Sequence, residues 1–475
     1  MSRLVVVSNR VSVPRDQGEG TTGGLAMALS AALREHHGVW FGWSGETTEE
    51  FTGEISTVKV SGVTVATIDL DAHDVEEYYN GYANSVLWPL FHYRTDLTGY
   101  ERAFRDGYER ANVRFADALA RLLREDDLVW IHDYHLIPLA RELRRRGFAN
   151  RIGFFLHIPW PARRLLTTLP GHSDLVEALL HYDLIGFQTE DHRAAFEEYI
   201  TQEAGGEASA DGRVARAYGL QSRLAAFPIG LDTEDFGKAA RGPVAQAAYE
   251  RMRLSRLGRD MIVGVDRLDY SKGLEERFLG YEQFLADNPD LHERVFMLQI
   301  ATPSREQVEA YQAIRARLDG VSGRINGAYS TIDWVPVRYV NRAYRRDELA
   351  GVYRAARVGL ITPLRDGMNL VAKEYVAAQE PDDPGVLILS QFAGAAEQMT
   401  EALIVNPLDR EEMAEAIRMA LSMPLPERRE RWRSLMDGIE RDDVVAWRDA
   451  FTAALADEPR APADGDGARF LQAGI

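Results

Sequence analysis

Nine short, almost unbroken apolar runs punctuate this chain of 475 residues. Five lie in its first half: "RLVVVSN" (3–9), "VTVATIDL" (63–70), "LVWIH" (128–132), "IGFFLH" (152–157) and "DLIGFQ" (183–188). Four lie in its second: "MIVGVD" (261–266), "VFMLQI" (295–300), "VGLIT" (358–362) and "VLILS". A strand that is apolar at nearly every position must be covered on both faces. Polar loops and amphipathic stretches follow the runs, which indicates parallel sheets wrapped by helices. The pattern stops and restarts around "AAFPIGLDTEDFGKAARGP" (225–243). The expected fold class is therefore α/β, with two Rossmann-like, doubly wound parallel-sheet domains facing across a cleft. Their expected bounds are 1–235 and 236–441. Residues 101–126 and 274–287 have the apolar spacing of helices. "DDVVAWRDAFTAALA" (442–456) reads as a late helix, within 442–457, packing back on the first domain. The Pro-, Gly- and Asp-rich tail, 458–475, reads as disordered.

Composition narrows the function. Hydrophobic content of 45% and charged content of 27% are those of a soluble globular protein. The absence of cysteine excludes disulfides, thiolate metal sites and a cysteine nucleophile. "MSRLVVVSNRVSVP" reads as a buried strand rather than a signal peptide, and no apolar stretch approaches the ~18 residues of a membrane span. A cytoplasmic location is the default expectation. A net charge of −18 repels nucleic acid and anionic membranes. An anionic substrate would thus require the basic groups to gather locally.

Open α/β sheets bind ligands beyond the carboxyl ends of their strands. The residues there are Asn9 and Arg10; His132, Asp133, Tyr134 and His135; and His157 and Pro159. In the second half they are Asp266, Arg267, Asp269, Ser271 and Lys272; Thr302, Ser304 and Arg305; and Arg365, Asp366 and Asn369. Four cations, Arg10, Arg267, Lys272 and Arg305, stand on these two rims. Arg267 and Lys272 flank a turn ending at Gly273, so both can address one phosphate group. In "LITPLRDGMNLVAKEYVAAQ" (360–379) a strand turns into a helix through charge and glycine. Asn369 is placed to cap that helix, whose mouth attracts an anion. Asp366 and Glu374 cannot bind phosphate and are suited to hydroxyl hydrogens. Phosphate beside several hydroxyls describes a nucleotide sugar.

Two patterns mislead. Gly18, Gly20 and Gly23 satisfy G-x-G-x-x-G, but the motif begins nine residues beyond Asn9 and past Pro14. A dinucleotide fingerprint turns directly off its strand, so the segment reads instead as a loop whose Gly23-Gly24 contacts an anion or sugar. His132-x-x-His135 has metal-ligand spacing without the glutamate or a third ligand. No D-x-D loop, G-x-S-x-G elbow or Walker sequence is present, so no metal and no cofactor are expected.

The motifs "RLVVVSNR", "GGLA", "VWFGWSGE", "EEYYNGYANSVLWPLFHY", "WIHDYHL", "RIGFFLHIPWP", "RLDYSKGL", "GRINGAY" and "TPLRDGMNLVAKEYVAAQ" closely resemble those of the bacterial trehalose-6-phosphate synthases. These are retaining glycosyltransferases of the two-Rossmann-domain (GT-B) type. The resemblance covers roughly residues 1–455. It implies an acceptor site at Arg10, Trp40, Tyr79, Trp88, Asp133 and Arg305, with Arg10, Arg305 and Tyr79 on the 6-phosphate of glucose 6-phosphate. It implies donor contacts at Gly23 and Gly24, and at His157 to the transferred glucose. Arg267 and Lys272 would bind the diphosphate of UDP-glucose, and Asp366, Gly367, Met368 and Asn369 the sugar hydroxyls. Leu370 and Val371 would lie at the phosphates, Glu374 at the ribose and Tyr344 near the base. The residues implied in catalysis are Arg267, Lys272, Asp133, His157 and Asp366. "PWPARRLLTTLPG", "GEGTTGG" and Tyr344 depart from the family's pattern, which bears on acceptor and base selectivity.

The resemblance implies metal-free transfer of glucose from UDP-glucose to glucose 6-phosphate with retention, in trehalose biosynthesis and osmoprotection. No phosphatase signature follows, so a separate trehalose-6-phosphate phosphatase is expected downstream. The alternatives are a glucosylglycerol-phosphate synthase, which shares the donor site, and an inactive sugar-phosphate sensor, which would have lost donor-site charges. The order of preference among UDP-, ADP- and GDP-glucose is open, as is assembly into a homo-oligomer.

Overall fold

The computed structural model describes residues 3–11, 33, 38–60, 62–304 and 309–457. Two sheets organise it. The first has ten strands: β1 (Leu4–Arg10), β2 (Val39–Thr48), β3 (Ser56–Val60), β4 (Val63–Asp71), β5 (Leu128–His132), β6 (Arg151–Phe155), β7 (Leu184–Phe187), β8 (Glu207–Ala208), β9 (Val214–Ala217) and β10 (Leu220–Ala226). Their order is β3-β4-β2-β1-β5-β6-β7-β10-β9-β8. Pairing is parallel from β4 to β10, and β3, β9 and β8 add antiparallel edges. The second sheet has six strands: β11 (Asp260–Arg267), β12 (Val295–Thr302), β13 (Val337–Val340), β14 (Val358–Ile361), β15 (Val386–Ser390) and β16 (Leu403–Val405). All are parallel, in the order β13-β12-β11-β14-β15-β16.

The apolar runs all appear as strands, because burial on both faces selects a continuous apolar sequence. Val5, Val6 and Val7, for example, are wholly buried. β2 and the short strands β3, β8, β9, β10, β13 and β16 were not among those runs. β2 contains "FGWSGE", in which glycine and polar residues break the pattern, and β3, β8, β9 and β10 include exposed residues that interrupt an apolar run. Helix α1 (Arg102–Ala120) ends earlier than its periodicity suggests. The chain must turn there into β5, and Arg3 fastens that turn through Asp127 and the carbonyl of Leu122, 2.7 Å away.

Strand order reverses at β1, between β2 and β5, and at β11, between β12 and β14. Such reversals open crevices at the carboxyl ends of the strands. Each crevice carries its own helices, including α2 (Leu274–Asp287) and α3 (Leu370–Ala378) on the second sheet. The last helix, α4 (Val444–Ala456), returns to β6 and β7 of the first sheet. There Gly153 and Gly186 make room for Phe451: a Cβ on either would stand 2.8 Å from that ring. Arg151 donates to the carbonyls of Leu455 and Ala456, at 3.1 and 2.6 Å, and Arg223 to that of Ala454 at 2.6 Å. Cations on the last carbonyls suit the negative end of a helix. Among the described residues no helix is long and apolar enough to cross a membrane.

Candidate active site

On the second sheet the site is built from two tight strand-to-helix connections. After β11, Asp269 accepts from the Ser271 amide at 2.9 Å and from the Tyr311 hydroxyl at 2.8 Å. That double acceptance fixes the turn carrying Lys272. Gly273 then adopts φ 62°, and a Cβ there would stand 2.4 Å from the Thr362 carbonyl oxygen, so glycine is needed on both counts. Behind the turn, Arg277 is fully buried. It pairs with Asp266 and donates to Gln299 at 2.9 Å and Thr362 at 3.1 Å, which stitches β11, β12 and β14 together.

After β14, Asn369 takes φ 87° and its side-chain oxygen accepts from the Ala372 amide at 3.1 Å. It is the N-cap of α3, as its position suggests. Its Nδ2 donates to Asp366 at 3.0 Å, and Lys272 Nζ lies 2.5 Å from the same carboxylate oxygen. Burial pushes the Asp366 carboxyl up, but Lys272, with His92 and Arg267 behind it, outweighs burial and holds it below the usual range. Lys272, Asp366 and the mouth of α3 thus form one charged unit. Glu374, a turn along the helix, pairs with Arg346 at 3.2 Å, and Arg346 also holds Asp235 at 2.9 Å. Burial raises the Glu374 carboxyl despite that arginine. Tyr344 is half-buried beside Arg342, whose guanidinium is 5.9 Å from its ring centre.

The facing rim is aromatic. Val75–Leu87 winds as a wide π-type helix, with Trp88 donating its amide to the Ala83 carbonyl. Such wide turns recur at functional sites. It delivers Tyr79, which stacks on His135 at 6.0 Å and meets Trp43 edge-on at 5.6 Å. Arg10 lies 5.7 Å from the Trp43 ring, its guanidinium packed where Gly45 leaves space. Trp40 is buried and gives its indole N–H to Ser8 at 2.8 Å, so it supports this rim from within the core. Asp133 has φ 76°, a costly conformation outside glycine. It is held there because its amide donates to the Phe155 carbonyl at 2.8 Å while its carboxylate accepts from the His157 amide at 3.2 Å. His157 Nε2 lies 3.0 Å from His132 Nδ1.

The rims touch. A Cβ on Gly367 would stand 2.0 Å from the His157 carbonyl oxygen, so glycine permits this contact. Three arginines cover aromatic rings across the gap: Arg365 over Tyr93 at 3.7 Å, Arg94 over Tyr270 at 5.4 Å and Arg267 over Trp88 at 5.4 Å. His92 is buried against Trp88 at 4.2 Å and bonds its carbonyl. Burial lowers its pKa to about 4, so its ring is neutral beside Lys272.

The model of glycosyltransferase family 20 matches residues 2–457. This chain belongs to glycosyltransferase family 20. A trehalose-6-phosphate synthase of Sinorhizobium fredii is 49% identical to this family 20 chain over 463 residues, 97% of this chain and 100% of that protein. One from Escherichia coli K12 is 48% identical over 456 residues, 96% of this chain and 95% of that protein. An α,α-trehalose-phosphate synthase (UDP-forming) of Burkholderia xenovorans, solved in complex with glucose-6-phosphate, superposes with a TM-score of 0.91 at 48% identity, covering 96% of this chain and 100% of that one. The Escherichia coli structure bound with UDP-2-fluoro glucose superposes with a TM-score of 0.92 at 46% identity, covering 96% and 100%. The two-sheet architecture is therefore the GT-B fold, and the family 20 chain is a glycosyltransferase.

Lys272, Asp366, Gly367, Met368, Asn369, Leu370 and Val371 share one strand-to-helix connection and its neighbour, and His157 and Asp133 stand across from them. Gly23, Gly24 and Arg305 lie outside the described residues. Three contributors escaped the sequence reading: His92, Arg94 and Tyr270. "WPLFHY" carries His92, Arg94 follows it directly and "RLDYSKGL" carries Tyr270, but only the contact between the two sheets gives them meaning.

Proposed function

We propose that this protein moves glucose from UDP-glucose to glucose 6-phosphate with retention, giving α,α-trehalose 6-phosphate and UDP. The observation that carries this reading is the charged unit of Lys272, Asp366 and the α3 mouth, seated opposite His157 and Asp133. As the donor's glycosidic bond breaks, negative charge grows on the leaving phosphate. Lys272, Arg267 and the amides of α3 are placed to stabilise that growth, and preorganised donors do so without reorganisation. Asp366 with Gly367, Met368 and Asn369 then addresses sugar hydroxyls. Arg10 and Tyr79, with Arg305, receive the acceptor phosphate and so orient the nucleophilic hydroxyl, with Trp88 and Asp133 lining the acceptor site. The departing phosphate takes the acceptor's proton on the same face, which preserves the anomeric configuration.

No metal ion takes part in this scheme. Removal of the product's phosphate falls to a separate phosphatase. The boundary between the two domains is placed near residue 235, and Arg346 pairs with both Asp235 and Glu374. The deciding assay incubates purified protein with UDP-, ADP- and GDP-glucose and with glucose 6-phosphate or glycerol 3-phosphate. A phosphorylated α,α-disaccharide made from UDP-glucose and glucose 6-phosphate is the expected product. Activity restricted to glycerol phosphate would replace the acceptor assignment, and no transfer at all would favour a sensor.

A further inference from the structure

The ring of His157 touches a second histidine whose surroundings settle where the protons are. His132 ends β5 and is 1% exposed. Its Nδ1 lies 3.0 Å from His157 Nε2, and its Nε2 is buried with no hydrogen-bond partner. Trp130 and Trp447 pack on the His132 ring, with centroids 4.6 and 6.3 Å away, and Trp447 comes from the returning helix α4. Both indole nitrogens are likewise buried without an acceptor. Phe155 and Phe451 complete the apolar enclosure, Phe451 stacking on Trp130 at 4.4 Å and Phe155 meeting Trp447 at 5.1 Å.

Burial keeps both histidines neutral, lowering His157 to about 3 and His132 well below its ordinary value. Two neutral rings joined nitrogen to nitrogen share one proton, and there are two ways to arrange it. If His157 Nε2 carries the proton, His132 must carry its own on Nε2. That adds a third buried N–H without an acceptor to those of Trp130 and Trp447. Indole nitrogen only donates, and orphaned buried N–H groups are rarer than orphaned acceptors. If His132 Nδ1 carries the proton, His132 Nε2 is a bare lone pair and no further N–H is left without an acceptor. His157 Nε2 then accepts, and the proton of His157 must lie on Nδ1.

We propose that His132, walled in by Trp130 and Trp447, is a positioning residue that fixes His157 as its Nδ1–H tautomer, so that His157 offers the transferred sugar a hydrogen-bond donor. The returning helix thereby serves the site: it supplies a ring that shields His132 from water. This rests on the glucosyl-transfer reading above only for the identity of the sugar; the tautomer itself does not depend on it.

The test uses full-length protein labelled with ¹⁵N-histidine, with the two rings assigned by the loss of signals in His132→Asn and His157→Gln. Long-range ¹H–¹⁵N correlation distinguishes protonated from bare ring nitrogens. Protonated Nδ1 and bare Nε2 on both rings is the expected result. A protonated Nε2 on either ring overturns the proposal, whatever reaction the protein catalyses. Kinetics give the second reading. His132→Asn keeps a donor near the Nδ1 position and is expected to retain kcat within about 5-fold, whereas His132→Leu removes it and lowers kcat about 10- to 100-fold, the cost of a misplaced reacting group. Equal losses in two variants with the same melting temperature would show that His132 only fills space.

Discussion

The two rims of the cleft solve different problems with different residues. The rim on the second sheet is charged and short-ranged: Lys272, Asp366 and Asn369 meet within hydrogen-bond distance at the mouth of α3. The rim on the first sheet is aromatic and conformational, made of the wide 75–87 helix, the stacked Tyr79 and His135, and the left-handed Asp133. A diphosphate carries concentrated charge and is well held by a few fixed donors. A sugar hydroxyl must be aimed rather than merely held, which favours rigid rings and strained backbone. On the function proposed above, charge holds the leaving group while shape places the nucleophile.

That contrast is open to attack, most forcefully on the charged side. Lys272→Ala is expected to lower kcat by about 10²–10³-fold, the typical cost of deleting one donor to developing charge. Steady-state kinetics on protein checked for intact folding measures it; an unchanged kcat would remove Lys272 from the reaction. Arg10→Ala should raise KM for glucose 6-phosphate by about 10- to 100-fold, in keeping with the ~1.5–3 kcal/mol of a hydrogen bond to a charged group. It should leave the KM for UDP-glucose nearly unmoved, and an equal rise in both would erase the division between rims.

A smaller effect concerns the seam. His92 is buried at the contact between rims, with its pKa lowered from 6.5 to about 4. Between those values the unfolded chain binds a proton that the folded chain does not. Stability therefore falls as pH drops from 6.5 toward 4. At about pH 5 this amounts to about 2 kcal/mol. Urea unfolding of the wild type and His92→Gln at about pH 8 and about pH 5 tests it: the variant should lose roughly that much of the pH dependence. An undiminished dependence would place the acid sensitivity elsewhere, for instance at His192, which burial also lowers, to about 3. Least of all, Tyr270→Leu removes the ring under Arg94, a contact worth ~0.5–1 kcal/mol if exposed. A rise of about 2- to 5-fold in KM for either substrate is expected, and a rise above that would make the seam part of the site.

Much of this was written in the chain. The continuous apolar strands were legible because parallel sheets demand them, and β11 and β14 led directly to Lys272 and Asp366. β2 was not, since its "FGWSGE" half trades apolar residues for glycine and charge where it faces the site. Asn369 was recognisable as a cap from local order alone. The partnerships of His92 with Trp88, Arg94 with Tyr270 and His132 with Trp447 were not legible. Two of these join segments of different sheets or a returning helix, and no local periodicity encodes where such segments meet. Glu374 was legible as a site carboxylate, yet its pairing with Arg346 was hidden for the same reason.

The most direct measurement is calorimetric binding of UDP to wild type and Lys272→Ala in the presence of EDTA, with glucose 6-phosphate binding as the control. The predicted result is metal-free UDP binding that weakens at least about 10-fold in the variant, as loss of a charge-assisted hydrogen bond implies, while glucose 6-phosphate binding is unchanged. UDP binding that vanishes with EDTA in the wild type, or persists undiminished in Lys272→Ala, would contradict a diphosphate site built from Lys272, Arg267 and the mouth of α3.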